Sequence, residues 1–300
     1  MGKSALLLIA AGMLVIACDN DFSPKTDFER KLVVFCVLEP TQDMQVVRLA
    51  WSYDADIGVP LRPLTPVEVG EAAVFIRQGG NPYRFTDTVL TAADGSLVRT
   101  WISRELKPKN ETEHRLEVSV PGYPRVTHAL TTPSRMYVSA EGVKADTGEG
   151  WMRLSSGISN YKVRPGGFYF RAWLVVTVRE NGVVNERRAE IPLHMATDRD
   201  QWVYPSPAKE DEVFFDIRII RRIANLLFDE TEEVVTKQII TRGYTMNNEL
   251  YSYYKVVRGF DDPVTMRLDK PDIAFIDGAL GVFGAALPDS ATFPLSRFVK

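Results

Sequence analysis

Hydrophobic and polar residues alternate with a period of two along short segments of residues 31–133. The clearest segments are 47–51, 74–76 and 116–120. This period is expected of strands that bury one face and expose the other. Turn-forming sequences separate the segments at 78–82, 93–95 and 121–122. About seven short strands in about a hundred residues predict an immunoglobulin-like β-sandwich over 31–133.

A second antiparallel β domain is predicted for residues 134–300, after a polar, proline-containing boundary at 131–134. Every second residue from Phe168 to Val178 is apolar, which predicts one long strand with a buried face. Asn181 and Gly182 follow this strand, and the Asn-Gly dipeptide favours a two-residue hairpin turn. Further strands are predicted over 183–191, 212–220 and 233–241.

One helix is predicted in the second domain, near 247–258. Its apolar residues have helical spacing, and Gly259 is placed to end it. A glycine-rich motif follows over 276–284. Glycines in such a motif let the backbone pass close to another element or form a bulge. A dinucleotide-binding loop would instead need a following helix in a parallel βαβ unit.

The first eighteen residues have the pattern of a lipoprotein signal peptide, residues 1–18. Lys3 precedes an apolar run from Ala5 to Ala17, which is too short to cross the roughly 30 Å hydrocarbon layer as a helix. Ala17 and Cys18 complete a lipobox, in which the cysteine becomes the first mature residue and carries acyl chains such as palmitate. The polar residues 19–30 then predict an extended tether. An ordinary secretory signal, with Cys18 incidental, is the alternative.

Charge and cysteine content narrow the classes of function. The net charge is −3 and no segment is strongly basic, which argues against nucleic acid as a partner. The chain has two cysteines, so a lipidated Cys18 leaves Cys36 without a disulfide partner. The apolar, β-branched surroundings of Cys36 predict a buried and unreactive thiol.

The sequence offers little chemistry for catalysis or metal binding. The histidines are far apart and lack the spacing of zinc ligands: His114, His128 and His194. Three acidic pairs stay open as calcium ligands: Asp54 and Asp56, Asp198 and Asp200, and Asp261 and Asp262. We predict no catalytic residue, no metal site and no cofactor. Trp202 and Tyr204, between predicted strands, are the predicted contact surface for a ligand or protein partner.

A series of motifs runs along most of the chain in a fixed order. They are the lipobox at Cys18 and the segments 32–40, 73–76, 118–122, 132–133, 251–254 and 276–284. This order resembles that of the Bacteroidota lipoproteins of domain-of-unknown-function family 4249. Two departures mark a divergent member. Ala279 stands where the family has a second glycine, and Asp262-Pro263-Val264 stands where it has Asp-Pro-Phe.

The resemblance implies an outer-membrane lipoprotein, often encoded near TonB-dependent receptors, with no established activity and no catalytic residues to transfer. We therefore expect a non-catalytic accessory or binding component, held in the outer membrane by its lipid and associated with a TonB-dependent β-barrel transporter. Two alternatives stay open: a structural or adhesive envelope lipoprotein, and a carbohydrate-active enzyme with an unrecognised acid pair. The ligand, the face of the outer membrane and the oligomeric state stay open as well.

Overall fold

The computed structural model of the chain describes residues 30–52, 67–92, 95–144, 150–158, 160–195, 201–227, 233–257 and 275–299. Strands make up most of these residues, and two α-helices and one 3₁₀ helix (Leu295–Arg297) accompany them. The predicted mostly β fold class is therefore confirmed. No helix in these ranges is both long and apolar enough to span a membrane.

The strands of the amino-terminal half form one side of a large sheet. They are β1 (Leu32–Leu38), β2 (Gln45–Trp51), β3 (Val67–Glu68), β4 (Ala73–Gln78), β5 (Asn81–Thr91), β6 (Leu97–Ser103), β7 (Glu113–Ser119) and β8 (Val126–Thr131). Their order is β1-β2-β6-β5-β4-β7-β8, with β3 beside β2. The long β5 pairs with β4 through its first half and with β6 through its second half, so it links two parts of the sheet.

The strands of the second half extend the same sheet and form two smaller ones. They are β9 (Val138–Lys144), β10 (Gly150–Ser156), β11 (Gly167–Glu180), β12 (Val183–Glu190), β13 (His194–Met195), β14 (Trp202–Val203), β15 (Glu212–Asp216), β16 (Glu233–Met246) and β17 (Leu280–Pro294). The large sheet continues in the order β12-β11-β16-β17-β1, while β15-β10-β9 and β13-β14 are separate. The predicted hairpin of β11 and β12 is confirmed, with positive φ values of 51° at Asn181 and 80° at Gly182.

Strand β17 joins the two halves of the chain. Residues 280–285 pair in parallel with β1, and residues 286–294 pair antiparallel with β16. The last long strand therefore lies beside the first one and adds buried side chains, such as Phe283, to the amino-terminal core. The domain limits at 31–133 and 134–300 stay a prediction, and this core draws on both ranges.

The sheet of the amino-terminal half folds back on itself around one apolar core. Buried residues of β1, β2, β4 to β8 and β17 share this core. The ring of His128 in β8 lies 6.3 Å from the ring of Phe283 in β17, measured between centroids. The end strand β8 therefore approaches β17, the neighbour of β1, across the core. This arrangement agrees with a sandwich, while the immunoglobulin-like topology stays a prediction.

The sequence prediction of a strand over 212–220 is wrong in its second half. β15 ends at Asp216, and helix α1 (Ile217–Leu227) follows at once. Its many isoleucines favour strands by propensity, yet their spacing buries one helical face in the second apolar core. The carboxylate of Asp216 also accepts the backbone N–H of Arg218 at 2.8 Å, which satisfies a free donor of the first turn.

The helix predicted near 247–258 is confirmed as α2 (Asn248–Val257). It packs on the outer face of the sheet where the two halves meet. Leu250 and Tyr253 lie there in a third apolar cluster with Phe35 of β1 and Val282 of β17. The helix therefore covers the junction that β17 creates.

Candidate functional site

The predicted lipidation site, Cys18, lies outside the described residues, as do residues 1–17 and 19–29. The other cysteine, Cys36, is a free thiol buried in β1. Burial raises the pKa of this thiol far above its ordinary value, because the thiolate would lose its hydration. The prediction of a buried thiol is confirmed, and a protonated thiol is a poor nucleophile.

The predicted contact residues, Trp202 and Tyr204, differ in exposure. Trp202 in β14 is half-buried and packs against the second core. The guanidinium of Arg222 in α1 lies 5.3 Å from the centroid of the Trp202 ring, which is a cation–π distance. Tyr204 is 47% exposed. Trp202 thus has a packing role, and use of the pair as a contact surface stays a prediction.

The histidines considered for metal binding do not form a metal site among the described residues. His114 is buried, His128 contacts Phe283, and His194 lies in β13. The six aspartates of the acidic pairs all lie outside the described residues. Within the part of the chain that the structure describes, no group of three His, Cys, Asp or Glu residues is placed to hold a metal ion.

A polar cleft lies beside the amino terminus of α2. Its volume is about 720 Å³, which falls within the range of roughly 300–1,000 Å³ that is common for small-molecule sites. The lining residues come from three segments: Asn160, Tyr161, Arg164, Pro165, Phe168, Lys209, Glu210, Asp211 and Asn248. The cleft is therefore assembled by the tertiary fold and by no single motif.

Backbone contacts hold the walls of the cleft in place. The N–H of Phe168 donates to the carbonyl of Ala208 at 2.7 Å, and the N–H of Ala208 donates to the carbonyl of Phe168 at 2.8 Å. Gly166 lets the segment pass close to α2, because a Cβ at this position would overlap the backbone of Asn248. The three segments are thus fixed against one another before any ligand binds.

Aromatic side chains form one wall of the cleft. The ring of Tyr161 lies 5.8 Å from the ring of Phe168, at a tilted angle. The Tyr161 hydroxyl forms a short hydrogen bond with the hydroxyl of Ser156. Burial raises the pKa of Tyr161 above its ordinary value, so the hydroxyl stays protonated at neutral pH. This wall therefore offers an apolar ring face and a neutral hydroxyl.

The charged side chains of the cleft balance in number. Two are cationic and two are anionic: Arg164, Lys209, Glu210 and Asp211. The ammonium of Lys209 donates a hydrogen bond to the carbonyl of Gly166, so it is already engaged within the protein. The other three side chains belong to exposed residues. Such a lining suits a polar and overall neutral ligand better than a lipid chain.

The glycine-rich motif has a structural role. Gly278 and Gly281 have positive φ values of 76° and 99°, and a Cβ on Gly281 would overlap the carbonyl oxygen of Val34 in β1. A Cβ on Gly284 would lie 2.7 Å from the Cβ of Leu250 in α2. The prediction of close backbone approach at this motif is confirmed.

Sequence reasoning missed the cleft. Most of its residues lie in loops that show no periodic pattern, and they are up to 88 positions apart (160 to 248). The one local signal is the run Pro165-Gly166-Gly167, in which two adjacent glycines mark a close backbone approach.

Comparison with known proteins gives one family. The family model described as "Domain of unknown function (DUF4249)" matches residues 19–290. No curated protein matches the sequence. Among solved structures, one described as "Biofilm associated protein - BSP domain" matches at 8% identity and a TM-score of 0.15. That match covers 87% of this chain and 58% of the other chain, and a score this low carries no inference about fold or function.

Proposed function

The chain belongs to the DUF4249 family, whose function is unknown, and from its lipobox and its cleft we propose that it is a lipid-anchored, non-catalytic binding component of the outer membrane. The observation that carries the binding role is the preformed polar cleft beside α2. The anchor would be Cys18, which several acyl chains would hold in the bilayer.

We propose a saccharide as the class of ligand. The half-buried ring of Tyr161 lines the cleft, and the C–H groups of a sugar can pack on an aromatic ring. Asn160 and Asn248 add amide donors and acceptors, and Arg164 and Asp211 add charged ones. A sugar needs many hydrogen bonds and carries no net charge, which is the combination that this lining supplies.

The enzyme alternative receives less support from the same cleft. A glycosidase needs two carboxylates that face each other across the bond at about 5–10 Å. The two acids of the cleft, Glu210 and Asp211, are consecutive residues and both are exposed. A general acid needs a drier environment that favours its protonated form. We therefore favour binding over hydrolysis.

As the partner we propose a TonB-dependent β-barrel transporter, on the ground of the family resemblance. Extraction in mild detergent, capture by a carboxy-terminal tag and mass spectrometry test this proposal. We expect a barrel protein in nearly equal amount. Solitary behaviour would contradict it and favour the structural or adhesive role. The Cys18→Ala variant is the control and should leave the membrane with its fold unchanged, since Cys18 precedes the tether.

The saccharide proposal is tested by calorimetric titration with a panel of oligosaccharides. Where the wild-type chain binds a sugar, Tyr161→Ala should weaken the affinity about tenfold, because the stacking face is lost. Tyr137→Ala is the matched control, since Tyr137 is 63% exposed and does not line the cleft. Equal losses in both variants, or no binding to any sugar, would contradict the proposal. Far-UV circular dichroism confirms that each variant is folded.

A further inference from the structure

The start of β1 shows at which end of the molecule the amino-terminal segment leaves. Leu32 pairs with Trp51 at the end of β2. The N–H of Leu32 donates to the hydroxyl of Tyr123 at 3.2 Å, and that hydroxyl donates to the carbonyl of Gly278 at 3.0 Å. The start of β1, the end of β2 and the turns at Tyr123 and Gly278 therefore lie together. We call this the anchor end.

The distance from the anchor end to the predicted lipid is short. Residue 30 is twelve positions after Cys18 (30 − 18). Twelve residues reach at most about 40 Å when fully extended. The anchor end would therefore stay within this distance of the bilayer surface, and a closer approach needs only a less extended tether.

Strand register places the hairpin of β5 and β6 at the same end. Trp101 of β6 lies opposite Val47 of β2. Continued by four residues beyond this pairing, the register puts Leu97 at the level of Trp51 and Leu32 along the strand direction, where β2 pairs with β3 instead of β6. Leu97 pairs with Thr91 at the end of β5, so the last residue pair of this hairpin lies at the anchor end.

Two large apolar side chains are exposed near this turn. Val89 is 57% exposed and Leu97 is 72% exposed. Val89 lies opposite Arg99 and Leu97 opposite Thr91, so the two are diagonal neighbours on one face of the hairpin. Exposed apolar residues that cluster on one face mark a contact surface better than scattered ones do.

We propose that the tip of the β5–β6 hairpin is a membrane contact, at which Val89 and Leu97 insert into the lipid interface beside the acylated Cys18. This inference rests on the proposed lipid anchor. The occupant is a lipid surface, because the tether leaves from the same end. Trp51 and Tyr123, which pack edge to face at 5.3 Å, are half-buried at this end, and such residues favour the lipid–water interface.

The inference specifies the orientation of the protein relative to the membrane. From Leu280 to Pro294 and on through β16 to Glu233, nineteen residue steps (14 + 5) separate the anchor end from the turn of β11 and β12. At about 3.3 Å each, they span at most about 60 Å, since a bulge in β16 shortens the path. Val183, which is 59% exposed at that turn, would therefore point away from the bilayer.

Spin labels at the two ends test the inference. The acylated, full-length mature chain is placed in vesicles of phosphatidylethanolamine and phosphatidylglycerol, with a nitroxide on Leu97→Cys or, as the matched control, on Val183→Cys. Both positions are exposed and lie next to a hairpin turn, and Cys36 is buried, so it does not compete for the label. The mass of each sample reports the acyl chains on Cys18.

We expect the label at position 97 to be relaxed by oxygen and shielded from a water-soluble nickel chelate, and the label at 183 to show the reverse. An acylated chain whose label at 97 is open to the nickel chelate would overturn the membrane contact and leave the anchor intact. Lipid exposure at 183 would overturn it as well. A measured mass that shows no acyl chains on Cys18 would overturn both the proposed anchor and this inference.

Discussion

Gly281 shows how a single hydrogen atom in place of a side chain decides whether two strands can pair. Its φ of 99° already disfavours other residues, and its backbone passes so close to Val34 that a Cβ would overlap the carbonyl oxygen. The parallel pairing of β17 with β1 therefore depends on this position. Gly182 has a similar φ of 80° but no atom within 4 Å of the site of a Cβ.

The two glycines allow a matched test of that dependence. Gly182→Ala should cost about 1 kcal/mol of unfolding free energy, the strain of a left-handed backbone alone. Gly281→Ala should cost about 4 kcal/mol, because a strand must also move. Urea denaturation measures both. Equal losses would show that the contact with Val34 adds nothing.

A second residue-scale effect concerns Glu117 in β7. Arg77 donates a hydrogen bond to its carboxylate at 2.7 Å, and Arg125 also pairs with it. The hydrogen bond from Arg77 lowers the pKa of Glu117 below its ordinary 4.5. A lowered folded-state pKa means that the stabilisation is complete above about pH 4.5 and is lost as the pH falls through the folded-state value.

We expect Glu117→Gln to lower the free energy of unfolding by about 1 kcal/mol at pH 7, since the arginines are largely exposed. The difference from the wild type should shrink as the pH falls below 4.5. Urea denaturation at several pH values measures it. Glu113→Gln, on the exposed side of the same strand, is the control and should show a smaller effect. A difference for Glu117→Gln that is constant with pH would contradict the explanation.

Among the secondary structure elements, α1 has a local sequence that is compatible with two kinds of secondary structure. Its isoleucines favour a strand by propensity and a helix by spacing. The tertiary fold decides, because the second core offers a helix-sized apolar surface and Asp216 caps the first turn. The hairpin at Asn181 and Gly182 was easier to predict, since its turn chemistry is local and specific.

The cap of α1 can be tested separately from its charge. Asp216→Ala should lower the free energy of unfolding by about 1–2 kcal/mol, because the N–H of Arg218 loses its acceptor. Asp216→Asn keeps an acceptor oxygen and should cost less. Urea denaturation of both variants checks this. Equal losses in the two variants would point to the ion pair with Arg218, which both substitutions remove, as the main contribution.

The parallel pairing of β17 with β1 lay beyond prediction from the sequence. The apolar run of β1 is visible in the sequence, whereas a strand over 280–294 was not predicted. Nothing in a local pattern states which segments become neighbours across more than two hundred residues. The roles of Gly281 and Gly284 follow from that neighbourhood. The cleft was hidden for the same reason, since Tyr161, Lys209 and Asn248 meet only in the folded chain.

At the scale of the whole molecule, the shared strand predicts that the two halves unfold together. Leu174→Ala, in the second core, should lower the free energy of unfolding by about 3 kcal/mol. Hydrogen exchange should report the same loss of unfolding free energy for the slowest-exchanging amides of β4 and β7, although these strands lie in the amino-terminal half. Leu116→Ala, in the amino-terminal core, is the reciprocal variant. A response confined to the mutated half would contradict the coupling.

The position of β17 also bears on when this chain can fold during its synthesis. The amino-terminal core lacks one of its central strands until residues 280–287 are present, so the first half cannot complete a stable structure early. Such a long-range pairing forms slowly. A protein that must cross a membrane in an unfolded state gains from this delay. If the chain is exported as proposed, this order of strands would keep it unfolded until nearly all of it had crossed the membrane.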